Sequence, residues 1–107
     1  MTGDRIRPPS LRTRLAGATR VSLIHFTAPW CPPCRLQSAE ARRFAEAADD
    51  PIGFIEVDVS ADITDARDLS IVAVPTLLFM AGGRELRRLS GFCTRDEIAA
   101  LYNRLRE

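Results

Sequence analysis

Val21-Ser-Leu-Ile-His-Phe-Thr-Ala-Pro-Trp-Cys-Pro-Pro-Cys34 runs directly into Arg-Leu-Gln-Ser-Ala-Glu-Ala-Arg-Arg-Phe-Ala-Glu-Ala-Ala48. The first six residues are a short apolar, β-branched run, the pattern of a central strand covered on both faces. Cys34 to Ala48 holds no Gly or Pro and is rich in Ala, Arg, Glu and Leu. It predicts a helix, with Leu36, Ala41, Phe44 and Ala48 as core contacts. Asp49-Asp-Pro51 ends it. A Cys-x-x-Cys pair therefore stands where a strand stops and a helix begins.

Outward from this junction the elements alternate. Ser10 can cap a short helix over 11–18, with Leu11, Leu15 and Ala18 on one face. Residues 1–9, Arg-rich and closing on Pro8-Pro9, predict a flexible arm or at most a short edge strand. Downstream, Phe54-Ile-Glu-Val-Asp-Val59 is a second strand, Ala61 to Leu69 a short helix capped by Ser60, and Pro75-Thr-Leu-Leu-Phe-Met80 a third strand. Ala81-Gly-Gly83 is a turn from which Arg84 to Leu89 pairs back as a hairpin, its Arg87-Arg88 forming a solvated edge. Thr94-Arg-Asp-Glu97 is a capping box opening a last helix with the stripe Ile98, Leu101, Tyr102 and Leu105. Phe44, Phe54, Leu77, Leu78, Phe79 and Ile98 are assigned to the core. Strands alternating with helices imply parallel pairing, and the late hairpin adds an antiparallel edge.

Composition bounds the function. The 107 residues suit one domain spanning 10–107 after the arm. Apolar residues at 46% can build a core, and no apolar run approaches the ~20 residues of a membrane span. A net charge of +1 supplies no field for nucleic acid or anionic lipid, so neither is expected as a partner. All 15 basic residues are Arg, which removes lysine chemistry. Three cysteines are too few for a disulfide scaffold, and a crosslink across two residues restricts the unfolded chain little. The N-terminus lacks the apolar stretch of a secretory signal, so a reducing cytoplasm is expected. There a Cys-x-x-Cys pair is redox-active or metal-binding. A zinc site needs about four ligands, and only His25 and Cys93 remain as candidates.

The junction suits thiol chemistry. A thiol must ionise to attack a disulfide, and a helix N-terminus offers partial positive charge and free N–H groups. Two intervening residues put the second sulfur one turn in, where it can attack the mixed disulfide formed by the first. Pro32 and Pro33 fix the backbone between them, and Arg35 adds positive charge.

Phe26-Thr-Ala-Pro-Trp-Cys-Pro-Pro-Cys34 resembles the active-site stretch of the thioredoxin family. Val74-Pro-Thr76 resembles that family's cis-proline loop, and Ser90-Gly-Phe92 the loop that completes its substrate groove. The likeness covers roughly residues 10–106. It implies an α/β thioredoxin fold, a mixed central sheet with helices on both faces. It implies reduction of protein disulfides by a thioredoxin-type electron carrier, with Cys31 as nucleophile and Cys34 as resolving thiol. Trp30, Val74, Pro75, Gly91 and Phe92 would contact substrate. A thioredoxin reductase or another dithiol donor would recharge the pair, with no bound cofactor or metal, and the protein would be a monomer.

The sequence departs from the family at informative places. The family's buried Asp and partner Lys, thought to handle the resolving thiol's proton, are replaced by His25 and Glu56. Either these two form a substitute pair, one acting as general base for Cys34, or His25 is a core histidine and Glu56 reaches solvent. Pro32 replaces a common glycine and removes an N–H near Cys31, and Thr27 stands where many members have Trp. Cys93 reads as a small, partly buried apolar residue, with a regulatory or intermolecular thiol as the alternative. Phe92 is either a groove contact or core packing. Two other functions stay open: a binding or chaperone module on the same fold, and a dedicated redox partner not recycled by thioredoxin reductase.

Overall fold

Four strands and four helices lie along residues 10–106, the part of the chain that the computed structural model describes. They are α1 (Leu11–Leu15), β1 (Ser22–Thr27), α2 (Pro32–Ala47), β2 (Gly53–Asp58), α3 (Thr64–Asp68), β3 (Thr76–Ala81), β4 (Arg84–Ser90) and α4 (Arg95–Leu105). The sheet order is β2-β1-β3-β4; β1 and β2 run parallel, while β1–β3 and β3–β4 are antiparallel. Among the described residues no helix is long and apolar enough to cross a membrane.

The apolar run of β1 takes an interior place, where both faces can be covered. Alternation along the strand then sorts the core into two layers. Leu23, with Leu77 and Phe79 of β3, packs under Ala41 and Phe44 of α2 and Ile98, Leu101 and Tyr102 of α4. Ile24 and Phe26, with Leu78 and Met80, pack against Leu11 of α1, Ala66 of α3 and Leu69 just after it. Phe44 meets the edges of Phe79 and Tyr102 at centroid distances of 6.0 and 5.6 Å. Phe54 is only half-buried, its ring covered by the Arg42 guanidinium at 5.5 Å. Gly82 and Gly83 turn the β3–β4 hairpin with φ of +59° and +79°, and a Cβ on Gly83 would stand 2.9 Å from the Arg12 carbonyl.

The structure corrects several sequence expectations. Leu36 is 64% exposed rather than core. The buried face of α2 is Cys34, Gln37, Ala41 and Phe44, and at 100° per residue Leu36 points nearly opposite to Cys34. The helix also starts at Pro32, because a proline at the first helical position forfeits no bond. Ser60 does not cap α3. Asp58 takes both its N–H and its hydroxyl in a local turn, and Asp62 instead accepts the Thr64 N–H. The helix therefore begins three residues later than expected. Nor is Arg88 a solvated edge residue: its guanidinium pairs with Glu85 and donates to the Leu69 and Ser70 carbonyls that end α3. The Thr94–Glu97 capping box forms as read. The expected arm at 1–9 lies outside the described residues.

Candidate active site

Cys31 follows β1 through Ala28-Pro-Trp30 and occupies the N-cap of α2. Cys31 and Cys34 are disulfide-bonded, with Cα atoms 5.3 Å apart. Both are buried, while Trp30 beside them is 69% exposed. The helix entrance differs from expectation in one respect. A helix leaves its first four N–H groups without intrahelical partners. Here the Cys31 N–H donates to the Ala28 carbonyl at 3.2 Å, Pro32 and Pro33 have none, and the Cys34 N–H donates to the Cys31 carbonyl at 3.1 Å. None of the four is left for a thiolate, so the aligned peptide dipoles of α2 remain as its support.

A second wall comes from the segment before β3. The Val74–Pro75 bond is cis, and the Val74 carbonyl lies 3.9 Å from the Cys31 Sγ. The Thr76 hydroxyl holds this segment by donating to the Ala73 carbonyl at 2.7 Å. Val72, just upstream, is 95% exposed. A third wall comes from the β4–α4 connection, where the Gly91 N–H donates to the Pro75 carbonyl at 3.0 Å and Phe92 is 45% exposed. The cis-proline segment thus joins residues far apart in sequence: Val74 reaches Cys31 and Pro75 holds Gly91, with exposed Trp30 and Phe92 the chain neighbours of Cys31 and Gly91.

His25 and Glu56 face each other in register on β1 and β2. His25 Nδ1 lies 2.9 Å from Glu56 Oε2. The Ser38 hydroxyl donates to the same oxygen at 2.5 Å and lies 3.4 Å from Nδ1, while Arg42 stands 3.5 Å from Glu56 Oε1. Burial pushes the imidazole below its ordinary value of 6.5, against the opposing pull of Glu56. Burial pushes the Glu56 carboxyl up, but hydrogen bonds from Ser38 and His25 and the Arg42 charge outweigh it and hold the group below the usual carboxylate range. The consistent state at neutral pH is a neutral imidazole donating from Nδ1 to an ionised Glu56. His25 Nε2 is then a bare lone pair, fully buried, with no hydrogen-bond partner.

Ser38 is a site residue that sequence reasoning missed. The available signal was spacing: Ser38 lies four residues after Cys34, on the helix face that covers β1. Cys93 is half-buried, its Sγ 3.7 Å from the Gly91 carbonyl, and burial together with Glu97 raises its thiol above the ordinary range. Among the described residues, no three His, Cys, Asp or Glu are grouped to hold a metal.

Comparison with known proteins gives a consistent result. A family model described as Thioredoxin matches residues 6–104. The chain is similar to the thioredoxin of Alicyclobacillus acidocaldarius, 31% identical over 78 residues that make up 73% of this chain and 74% of the relative. It is similar to thioredoxin H2-1 of Oryza sativa, 33% identical over 88 residues, 82% of this chain and 62% of the relative. The structure of Fasciola hepatica thioredoxin superposes with a TM-score of 0.73 at 29% identity, covering 81% of this chain and 82% of the other.

Proposed function

Because the chain belongs to the thioredoxin family and is a thiol–disulfide oxidoreductase working through Cys31 and Cys34, we propose that it reduces protein disulfides in the cytoplasm. A thioredoxin reductase or another dithiol donor recharges it, since a reductant of this kind needs a reducing pool. The observation that carries this reading is the setting of Cys31: its sulfur lies against the Val74 carbonyl, at the foot of a surface bearing exposed Trp30, Val72 and Phe92. That surface suits an extended polypeptide, with Trp30, Val74, Pro75, Gly91 and Phe92 as its contacts.

In the reduced protein the Cys31 thiolate attacks one sulfur of the substrate disulfide. A mixed disulfide forms and the other substrate sulfur leaves as a thiolate. Cys34, deprotonated, attacks the Cys31 sulfur and releases the second substrate sulfur. The substrate gains two electrons, and the pair ends as the Cys31–Cys34 disulfide present in the structure. His25 is the general base for Cys34, taking the thiol proton at Nε2, while Glu56 holds the ring and stabilises the imidazolium that forms. Two observations support this role. A core histidine kept for packing would have both nitrogens satisfied, and Nε2 is not. Ser38, in contact with the His25–Glu56 pair, lies one helical turn from Cys34.

Insulin reduction tests the substrate class. With NADPH and a thioredoxin reductase the protein should precipitate insulin catalytically, and Cys34→Ser should trap mixed disulfides with several proteins. A protein that turns over neither with the reductase nor with dithiothreitol is not a protein-disulfide reductase. If dithiothreitol supports turnover and the reductase does not, another donor recharges it; a single trapped client points to a dedicated redox partner.

A further inference from the structure

Gln37 is fully buried on the inner face of α2, and no step above uses it. A buried amide needs partners for both its oxygen and its NH2. It finds both on one residue: Nε2 donates to the Cys93 carbonyl at 2.9 Å, and Oε1 accepts the Cys93 N–H at 2.7 Å. This side chain exchanges two bonds with the backbone of one residue, as facing residues do in an antiparallel ladder. One turn on, Glu40 accepts the Arg95 N–H at 2.6 Å. The helix that carries the resolving thiol therefore grips the β4–α4 connection by its main chain.

That connection is anchored on its other side too. The Gly91 N–H donates to Pro75, whose neighbour Val74 turns its carbonyl to Cys31. A closed line runs from α2 through Gln37, Cys93, Gly91 and Pro75 back to Cys31. Phe92, exposed, lies in the chain between these two anchored residues.

We infer that Gln37 is a positioning residue that sets Gly91 and Phe92 in register with the Cys31–Cys34 pair, so that protein substrates depend on it and small disulfides do not. This rests on the reading of the site as one for protein disulfides. A polypeptide must touch the 91–93 wall while its sulfur meets Cys31; a small disulfide needs only the sulfur. Without the amide, both Cys93 backbone groups lose their partners and turn toward water, and the wall moves with them.

The test is steady-state reduction of insulin and of bis(hydroxyethyl) disulfide by Gln37→Met, which keeps the side-chain length and removes both bonds. The KM for insulin should rise about tenfold, ~1.4 kcal/mol, with kcat and the small-disulfide rate changed by no more than about twofold. Phe92→Ala should raise the insulin KM similarly, and adding Gln37→Met to it should raise it little further, because both act through one wall. If the methionine variant does not fold, Gln37→Leu carries the same comparison. An equal loss on both substrates, an unchanged insulin KM, or full additivity with Phe92→Ala overturns the inference. A wild-type protein inert to insulin but active on the small disulfide overturns the protein-substrate reading, and this inference with it.

Discussion

Replacing Glu56 by Gln removes a charge from the His25 pair while keeping the shape of the side chain. In the wild type the carboxylate lies 2.9 Å from Nδ1. When His25 takes the Cys34 proton, the new positive charge is spread over the ring, about 4 Å from the carboxylate on average; at an effective dielectric of ~20 their attraction is about 4 kcal/mol. Glu56 keeps 31% of its side chain exposed and is shared with Arg42. Solvent and Arg42 therefore screen much of that attraction. A remaining loss of about 1.4 kcal/mol corresponds to a tenfold slower resolution step. The assay is single-turnover decay of a mixed disulfide on Cys31, followed by acid quench across pH. Glu56→Gln should slow the decay about tenfold near neutrality and move its acid limb to lower pH, since the imidazole loses the carboxylate that opposes its burial. His25→Ala should abolish that limb. If both variants give the wild-type profile, His25 takes no proton from Cys34 and the mechanism above is wrong.

Other outcomes follow from the same geometry. Pro32→Gly returns one N–H to the mouth of α2, where none is now free; reduced protein should then be alkylated by iodoacetamide several-fold faster at mildly acid pH. Acid should destabilise the fold through His25 and Glu56 together. Both are depressed in the folded state, so the unfolded chain binds more protons; the stability they contribute is full above the ordinary His value of 6.5 and is lost as pH falls through it and then through the carboxylate range. Urea midpoints compared at about pH 7.5 and about pH 5 should fall, and fall less in His25→Ala. Phe44→Ala empties the contact between α2, Phe79 and Tyr102 and should cost about 3–5 kcal/mol by chemical denaturation.

How much was legible follows a physical line. The cysteine pair, the strand before it and the capping box after it are written in short windows, and each appears in the structure at or within two residues of its reading. Two of the misplaced details, the start of α3 and the side of Leu36, turn on competition between partners. Asp58 takes Ser60 before it can cap, and Leu36 loses the inward face because Cys34, Gln37, Ala41 and Phe44 occupy it. His25 and Glu56 were singled out by the family's pattern. Their pairing distance, the third contact from Ser38 and the bare Nε2 required the folded chain.

By itself the sequence determines the order of helices and strands and the placement of Cys31 and Cys34 at a strand-to-helix junction. Propensity, period and capping act over a few residues and need no distant partner. Only the tertiary structure decides that Gln37 faces inward to hold Cys93, that Arg88 closes α3, and that no N–H is left open at the mouth of α2. The first two contacts join residues 56 and 18–19 positions apart, and the third depends on how the chain before Cys31 folds back. Such pairings carry no local signature, because the backbone of almost any residue can accept a buried amide or a guanidinium once packing brings it there.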